Sequence, residues 1–352
     1  MTAKRIYGSL FKRLTLITII TITFICFCFA DSFFPAKSES AAANVAAWPV
    51  PPPELAVSVI MPRELLYEPT NLILDSDHLI FAKAGDRLAL KWRSDPENSV
   101  IDAPEFHSSD ESVATVNADG VVTAKGWGYC KILAVSGGMS AECSVSVAKK
   151  WVALTFDDGP RAPTKPFLAE LKKRDVHVTF FILGNLAETK AWSGNIVQMA
   201  KDGHDIGNHS YDHGKDTSKL PGQVKHTDNI VKGLTGSNTQ FLRPPYGIVS
   251  EDAKKCSKPI ILWNDDSLDW NLRDPGKIYA GVKKEVASGD IIIFHDIYTT
   301  TSEAVLKLIP SLKRDGFAFV TVSDMLGKMS DGEVYHHGSE KVRTTKSPNR
   351  YY

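Results

Sequence analysis

Cysteine is scarce, with five in 352 residues, so a scaffold held mainly by disulfides is excluded. Charge of one sign is missing too. The 41 basic and 41 acidic residues cancel, and no basic run is interleaved with aromatics, so nothing points to a nucleic-acid partner. Long apolar runs are nearly absent. The exception follows Lys4, Arg5, Lys12 and Arg13 and extends uncharged from Leu14 to Ala30. A positive region before an apolar core is the layout of a secretory signal or a signal-anchor. Cys28-Phe29-Ala30 offers a cleavage site before Asp31, but an uncleaved anchor is favoured, with the rest of the chain outside the cytoplasm. The composition, 43% apolar and 23% charged, is that of a globular protein, and the length suits two domains.

Residues 31–71 are rich in Pro, Ala and Ser and read as a semi-extended spacer. Apolar patches at Val57–Met61, Leu65 and Leu66 are candidates for an edge strand on the next domain. Residues 72–148 show short alternating segments, such as Val113–Val116 and Val121–Ala124, separated by turn signals such as Asn117–Gly120. That is an all-β pattern. Cys130 and Cys143 flank the Gly137-Gly138 turn, but pairing about it sets Cys130 opposite Val145, so two buried thiols are expected rather than a disulfide. Cys256 is expected to be buried and unreactive. His78 and His107 are expected to be surface or edge residues. From residue 149 to 327, apolar strands (Val178–Leu183, Ile291–Phe294) alternate with amphipathic helices (Pro163–Arg174, Ser302–Arg314), which predicts an α/β domain with a mainly parallel sheet. Residues 328–352 are polar and aperiodic and are expected to be a mobile tail, with His336-His337 solvated.

Five runs carry chemistry. Leu154-Thr155-Phe156-Asp157-Asp158-Gly159-Pro160 ends an apolar strand on two carboxylates. Strand alternation points adjacent side chains to opposite faces, which suggests one carboxylate for a metal and one for a proton; an acidic turn is the plain alternative. His209 and His213 are four apart, the spacing that places both imidazoles on one face of a helical turn. With a strand-end carboxylate and no fourth His or Cys nearby, they fit a two-His, one-carboxylate site open to water and substrate. Phe241-Leu242-Arg243-Pro244-Pro245-Tyr246-Gly247 sets an Arg before a rigid double proline. Trp263 to Trp270 combines acids with two indoles, which reads as a pocket wall. Gly289 to Asp296 ends a buried strand on His295, a candidate general acid beside a metal site.

In this order the five runs resemble the motifs of the polysaccharide deacetylases (carbohydrate esterase family 4), over essentially all of Trp151–Leu326. Ser108–Val116 and Gly120–Gly126 resemble the bacterial Ig-like domain of group 2. The resemblance implies a distorted (β/α) barrel with fewer than eight strands, preceded by an Ig-like β-sandwich. It implies Asp157 as catalytic base, Asp158, His209 and His213 as ligands of a divalent metal (zinc first, cobalt or another ion also possible), and Arg243 as the partner of Asp157. It further implies an oxyanion-binding backbone N–H at Tyr246, Asp269 as partner of His295, His295 as general acid and Trp270 as a pocket wall. Phe294 stands where the family has an aliphatic residue and is expected to reshape the acetyl pocket. The implied reaction is removal of N-acetyl groups from N-acetylglucosamine in a cell-wall polysaccharide, peptidoglycan first, by a monomer facing the wall. Chitin oligomers, exopolysaccharide and O-acetylated xylan are alternative substrates. A glycosidase using the two aspartates is disfavoured because alternation points them apart. A non-catalytic wall-binding protein leaves the acid, base and metal residues without a role.

Overall fold

The computed structural model describes residues 68–97, 99, 101–339 and 344–348. Segment 1–30, the spacer up to residue 67 and the apolar patches expected there lie outside the described residues. Among the described residues, no helix is long and apolar enough to cross a membrane.

The β-branched and aliphatic alternation of residues 71–147 builds a small β-sandwich. One sheet orders its strands as Thr345–Pro348, Ser76–Phe81, Met139–Val147, Gly128–Ser136 and Glu105–Ser108. A three-stranded sheet of Arg87–Ala89, Val121–Ala124 and Ala114–Val116 covers it, with the pair Asn71–Leu74 and Trp92–Asp95 alongside. Leu79, Phe81, Val122, Ile132 and Val145 are among the inward residues that fill the core. In the Gly128–Ser136 and Met139–Val147 hairpin, Cys130 faces Val145 and Cys143 faces Ile132. Both thiols are buried and free, as the register argument predicts, and Cys256 is free and half-buried. Burial, aided by the charge of Asp252, pushes the Cys256 thiol up to about 11.

The Ig-like strand ending at Val147 runs almost directly into the central barrel strand, Lys150–Gly159. Parallel neighbours Thr179–Ile182 and then Asp205–Asn208 lie on one side, and Asp290–His295 lies on the other. Bridges at Leu242 carry the sheet from Asn208 to Ile260. The same segment, Ile260 to Asp266, then pairs with Ile292 and Ile293 through Asp265 and Asp266. The hydrogen-bonded path therefore returns to its start, giving an irregular barrel with fewer strands than eight. Alternation sorts the central strand. Val152, Leu154 and Phe156 face the helices, where Phe156 meets Phe167, Phe180 and Phe294 at centroid distances of 5.1, 5.4 and 5.5 Å. Trp151 and Ala153 face inward. Thr155 and Asp157, in step with them, point into the barrel.

Several expectations are corrected. Phe294 packs in the outer core against Phe156, so it does not touch the pocket; its neighbours Ile293 and His295 do. The C-terminal region is structured over two stretches: Val334–Tyr335 extends the barrel beside Ile260–Ile261, and Thr345–Pro348 adds an antiparallel strand to Ser76–Phe81. His336 is exposed, whereas His337 is half-buried, with Nε2 3.6 Å from Asp290 Oδ1. His78 is buried, with Nε2 2.7 Å from Ser146 Oγ and its ring edge-on to His177. The two domains are joined by a shared apolar cluster that includes Ile80, Ala148 and Trp151, and by the Tyr129 hydroxyl donating to the Phe317 carbonyl.

One position behind the site has no room. A Cβ on Gly159 would lie 2.2 Å from Asp296 Oδ1, and Asp296 is fully buried and tied to the Thr164 hydroxyl. Gly159→Ala is therefore expected to lower stability by roughly 1–3 kcal/mol, and Gly159→Ala combined with Asp296→Ala to recover part of that loss. Thermal unfolding of the three variants checks this; strictly additive losses would contradict the contact.

Candidate active site

Asp157 lies beside His295 in register at the C-terminal end of the central strand. Regular alternation would then send Asp158 away. It does not, because the register slips between Asp157 and Gly159 and Asp158 takes a left-handed φ of 69°. This bulge re-aims the side chain. His209 Nε2 consequently sits 3.7 Å from Asp157 Oδ2 and 3.5 Å from Asp158 Oδ1. Both carboxylates face one pocket, so the argument that they point apart is overturned.

The histidines are not on a helix either. The chain leaves the Asp205–Asn208 strand and turns through left-handed Ser210 (φ 70°) and His213 (φ 60°). Side chains brace the turn. Asn208 Oδ1 accepts from Ser210 N–H, Ser210 Oγ accepts from His213 N–H, and Asn208 Nδ2 donates to Asp228. His209 Nδ1 lies 2.7 Å from the Arg243 carbonyl, which accepts its proton and leaves Nε2 free toward the pocket. His213 Nε2 is 3.5 Å from Asp158 Oδ1.

These three residues fit a divalent cation. One ligand atom from each of Asp158, His209 and His213 lies within 4.8 Å of the others. Asp158 Oδ1 is buried and, among the described residues, has no hydrogen-bond partner, a costly state that a cation relieves. Burial would raise the Asp158 carboxyl, but the imidazoles of His209 and then His213 hold it at about 2, so it is ionised and ready as a ligand.

Behind them Arg243 crosses the barrel interior, fully buried. Nε donates to the Ile261 carbonyl, Nη1 to Thr155 Oγ1 and Asp157 Oδ1 (both 2.8 Å), and Nη2 to the Leu262 carbonyl. Its flat face lies over Phe181 at 4.0 Å. Such pairing offsets the large cost of burying a guanidinium. On the other side, His295 Nδ1 is 2.8 Å from Asp269 Oδ1, while Asp269 Oδ2 accepts from His295 N–H and from Thr301 Oγ1. A carboxylate only accepts, so Nδ1 carries the proton and Nε2 faces the pocket. Burial alone would lower His295; Asp269, helped by Asp157 and Asp158, outweighs it and lifts the ring to about 9. This pairing favours the imidazolium form of His295.

The pocket encloses about 430 Å³, and Tyr246, Trp263, Asp266 and Trp270 wall it beside the acids and histidines. Tyr246 is left-handed (φ 59°), with its ring 4.5 Å from that of His213. All nine residues singled out from the sequence meet here or directly behind it. Thr155, Thr301, Asn208 and Asp266 were missed. Thr155 had a readable signal: it is a lone hydroxyl in an apolar strand, two residues before Asp157 and so on the same face.

Two histidines and one carboxylate gathered at the strand C-termini of a parallel barrel, beside a second carboxylate and a third histidine, form a candidate metal site. Comparison with known proteins gives the family. A polysaccharide deacetylase profile matches residues 144–259 and a bacterial Ig-like (group 2) profile matches residues 70–146. The peptidoglycan-N-acetylglucosamine deacetylase of Listeria monocytogenes is 35% identical over 193 residues, 53% of this chain and 41% of that protein. A Bacillus cereus protein of the same name is 34% identical over 190 residues, 50% of this chain and 68% of the relative. The CE4 domain of a multidomain xylanase from the hindgut metagenome of Trinervitermes trinervoides superposes with a TM-score of 0.50 at 25% identity, covering 53% of this chain and 97% of that one. The chain belongs to the polysaccharide deacetylase family, with an Ig-like domain in front. It spans about two fifths of the length of the Listeria relative.

The Asp269–His295 pair makes a signed prediction. The folded-state value of His295 is raised, so its stabilisation is complete below the ordinary histidine value and is lost as pH rises through about 9. In Asp269→Asn, the metal-free protein should lose stability at neutral pH, with the deficit shrinking above that point. The His295 titration, followed by NMR, should move down by roughly one pH unit or more. An unmoved titration would contradict the pairing.

Proposed function

We propose that the protein is a metal-dependent N-deacetylase that releases acetate from N-acetylglucosamine units of peptidoglycan. The observation that carries this is that Asp157 and His295, side by side on neighbouring strands, line one pocket with the Asp158–His209–His213 cluster. The relatives' names support the glycan. The N-terminal segment, as anchor or cleaved signal, would deliver a monomer to the wall, with the Ig-like domain as a module next to the catalytic one.

An amide is a weak electrophile with a poor leaving group. A divalent ion held by Asp158, His209 and His213, zinc being the simplest choice for this donor set, would polarise the acetyl carbonyl and make water acidic. Asp157, fixed through Oδ1 by Arg243, presents Oδ2 to take the proton of the attacking water. The Tyr246 backbone N–H adds a donor for the developing oxyanion, an interaction often worth about 3 kcal/mol. As the C–O bond forms and the C–N bond breaks, His295 Nε2 gives its proton to the departing nitrogen, and Asp269 keeps the ring oriented. Acetate and a glucosamine amine result. Trp270 and Trp263 offer faces for sugar stacking.

Acetate release by the whole protein from peptidoglycan, chitin oligomers and acetylated xylan, with and without a chelator, tests the reading. Release from peptidoglycan that stops on chelation and returns with zinc is expected. His209→Ala should lose both metal and activity, and His295→Ala should keep metal while turnover falls roughly 10²- to 10⁴-fold. Metal-replete protein that releases no acetate from any of the three would sink the proposal.

A further inference from the structure

Two cations flank the pocket, each mounted on an aromatic ring. Lys215 Nζ lies 5.3 Å above Tyr246, the residue whose ring meets His213. Near His295 the Arg273 guanidinium stacks 3.2 Å from the centre of Tyr298, whose ring is 6.3 Å from that of His295. Both cations are exposed, and among the described residues neither forms an ion pair with an acid. Arg273 is also held from behind. Its backbone is left-handed (φ 50°), and its Nε donates to the Trp270 carbonyl at 2.7 Å. The Nη groups are therefore presented in a fixed plane, the geometry that suits a carboxylate. The pocket itself, by contrast, carries Asp157 and Asp158, with Asp266 in its wall, so an anionic group belongs on the rim and not in the centre.

A neutral sugar in the pocket with two exposed cations beside it matches one polymer pattern. We infer that Arg273 and Lys215 are specificity residues for a glycan in which the sugars next to the N-acetylglucosamine carry carboxylates. Peptidoglycan has this alternation, through the lactyl ether of each neighbouring sugar or the stem peptide attached to it. Chitin does not. The inference rests on the deacetylase reading and narrows it: the charge pattern beside the reacting sugar selects the chain, while the pocket handles the acetyl group.

The test uses Arg273→Gln, Lys215→Gln and the double variant in the full chain. Both side chains lie at the surface, so the fold is expected to survive. Three glycans are compared: strands stripped of stem peptides with lactyl carboxylates free, the same strands with those carboxylates reduced to alcohols, and strands still bearing peptides. For the wild type, binding and kcat/KM should favour the charged strands over the reduced ones. Each substitution should weaken that preference about threefold, chiefly through KM, and the effect should fade at about 0.5 M salt. Loss on stripped strands assigns the lactyl carboxylate as the recognised group; loss only on peptide-bearing strands assigns the peptide. Equal losses on charged and reduced strands, or no loss on either, would overturn the inference. Charge-dependent binding without any acetate release would leave it standing and remove the hydrolase reading instead.

Discussion

The site depends on one buried cation. Arg243 has no exposure to water, and an unpaired guanidinium there would be untenable. Four of its five N–H groups are spent on Thr155, Asp157 and the carbonyls of Ile261 and Leu262. Those partners come from two separate barrel segments. The Arg243 carbonyl in turn fixes the His209 ring. One side chain and its own backbone thus tie the aspartate strand, the histidine loop and the wall carrying Trp263. Taking Asp157 away would leave the charge uncompensated, a loss typically of about 3–5 kcal/mol.

That constraint gives the two adjacent carboxylates different surroundings. Asp157 is immobilised by the ion pair and has one oxygen left. Asp158, on the bulge, is turned toward two imidazoles and, among the described residues, has an oxygen without a hydrogen-bond partner. The bulge, not strand alternation, separates them. Asp269 does for His295, on the neighbouring strand, what Arg243 does for Asp157: it fixes the ring and favours its charged form. A carboxylate and an imidazole, each held by a buried partner of opposite sign, then line one pocket.

Much of this was legible in the sequence because it follows from period and composition. The apolar strand from Trp151, the amphipathic helices, the β-rich first domain and the ordered motifs all reflect side-chain pattern. The failures share a cause. Left-handed residues at Asp158, Ser210 and His213 are backbone choices that no hydrophobic period reveals. Phe294 was assigned to the pocket by motif position, when alternation from His295 already placed it on the outer face. The strand Thr345–Pro348 and the buried His78 needed tertiary partners: a short polar segment becomes a strand when a sheet edge is there to receive it.

The central claim is the division between the two aspartates. It is tested most directly by zinc titration of Asp157→Asn and Asp158→Asn side by side, with circular dichroism to show that both are folded. The account predicts zinc affinity close to wild type with no acetate release for Asp157→Asn, and loss of zinc binding for Asp158→Asn. The reverse pattern, with metal lost in Asp157→Asn and kept in Asp158→Asn, would contradict it.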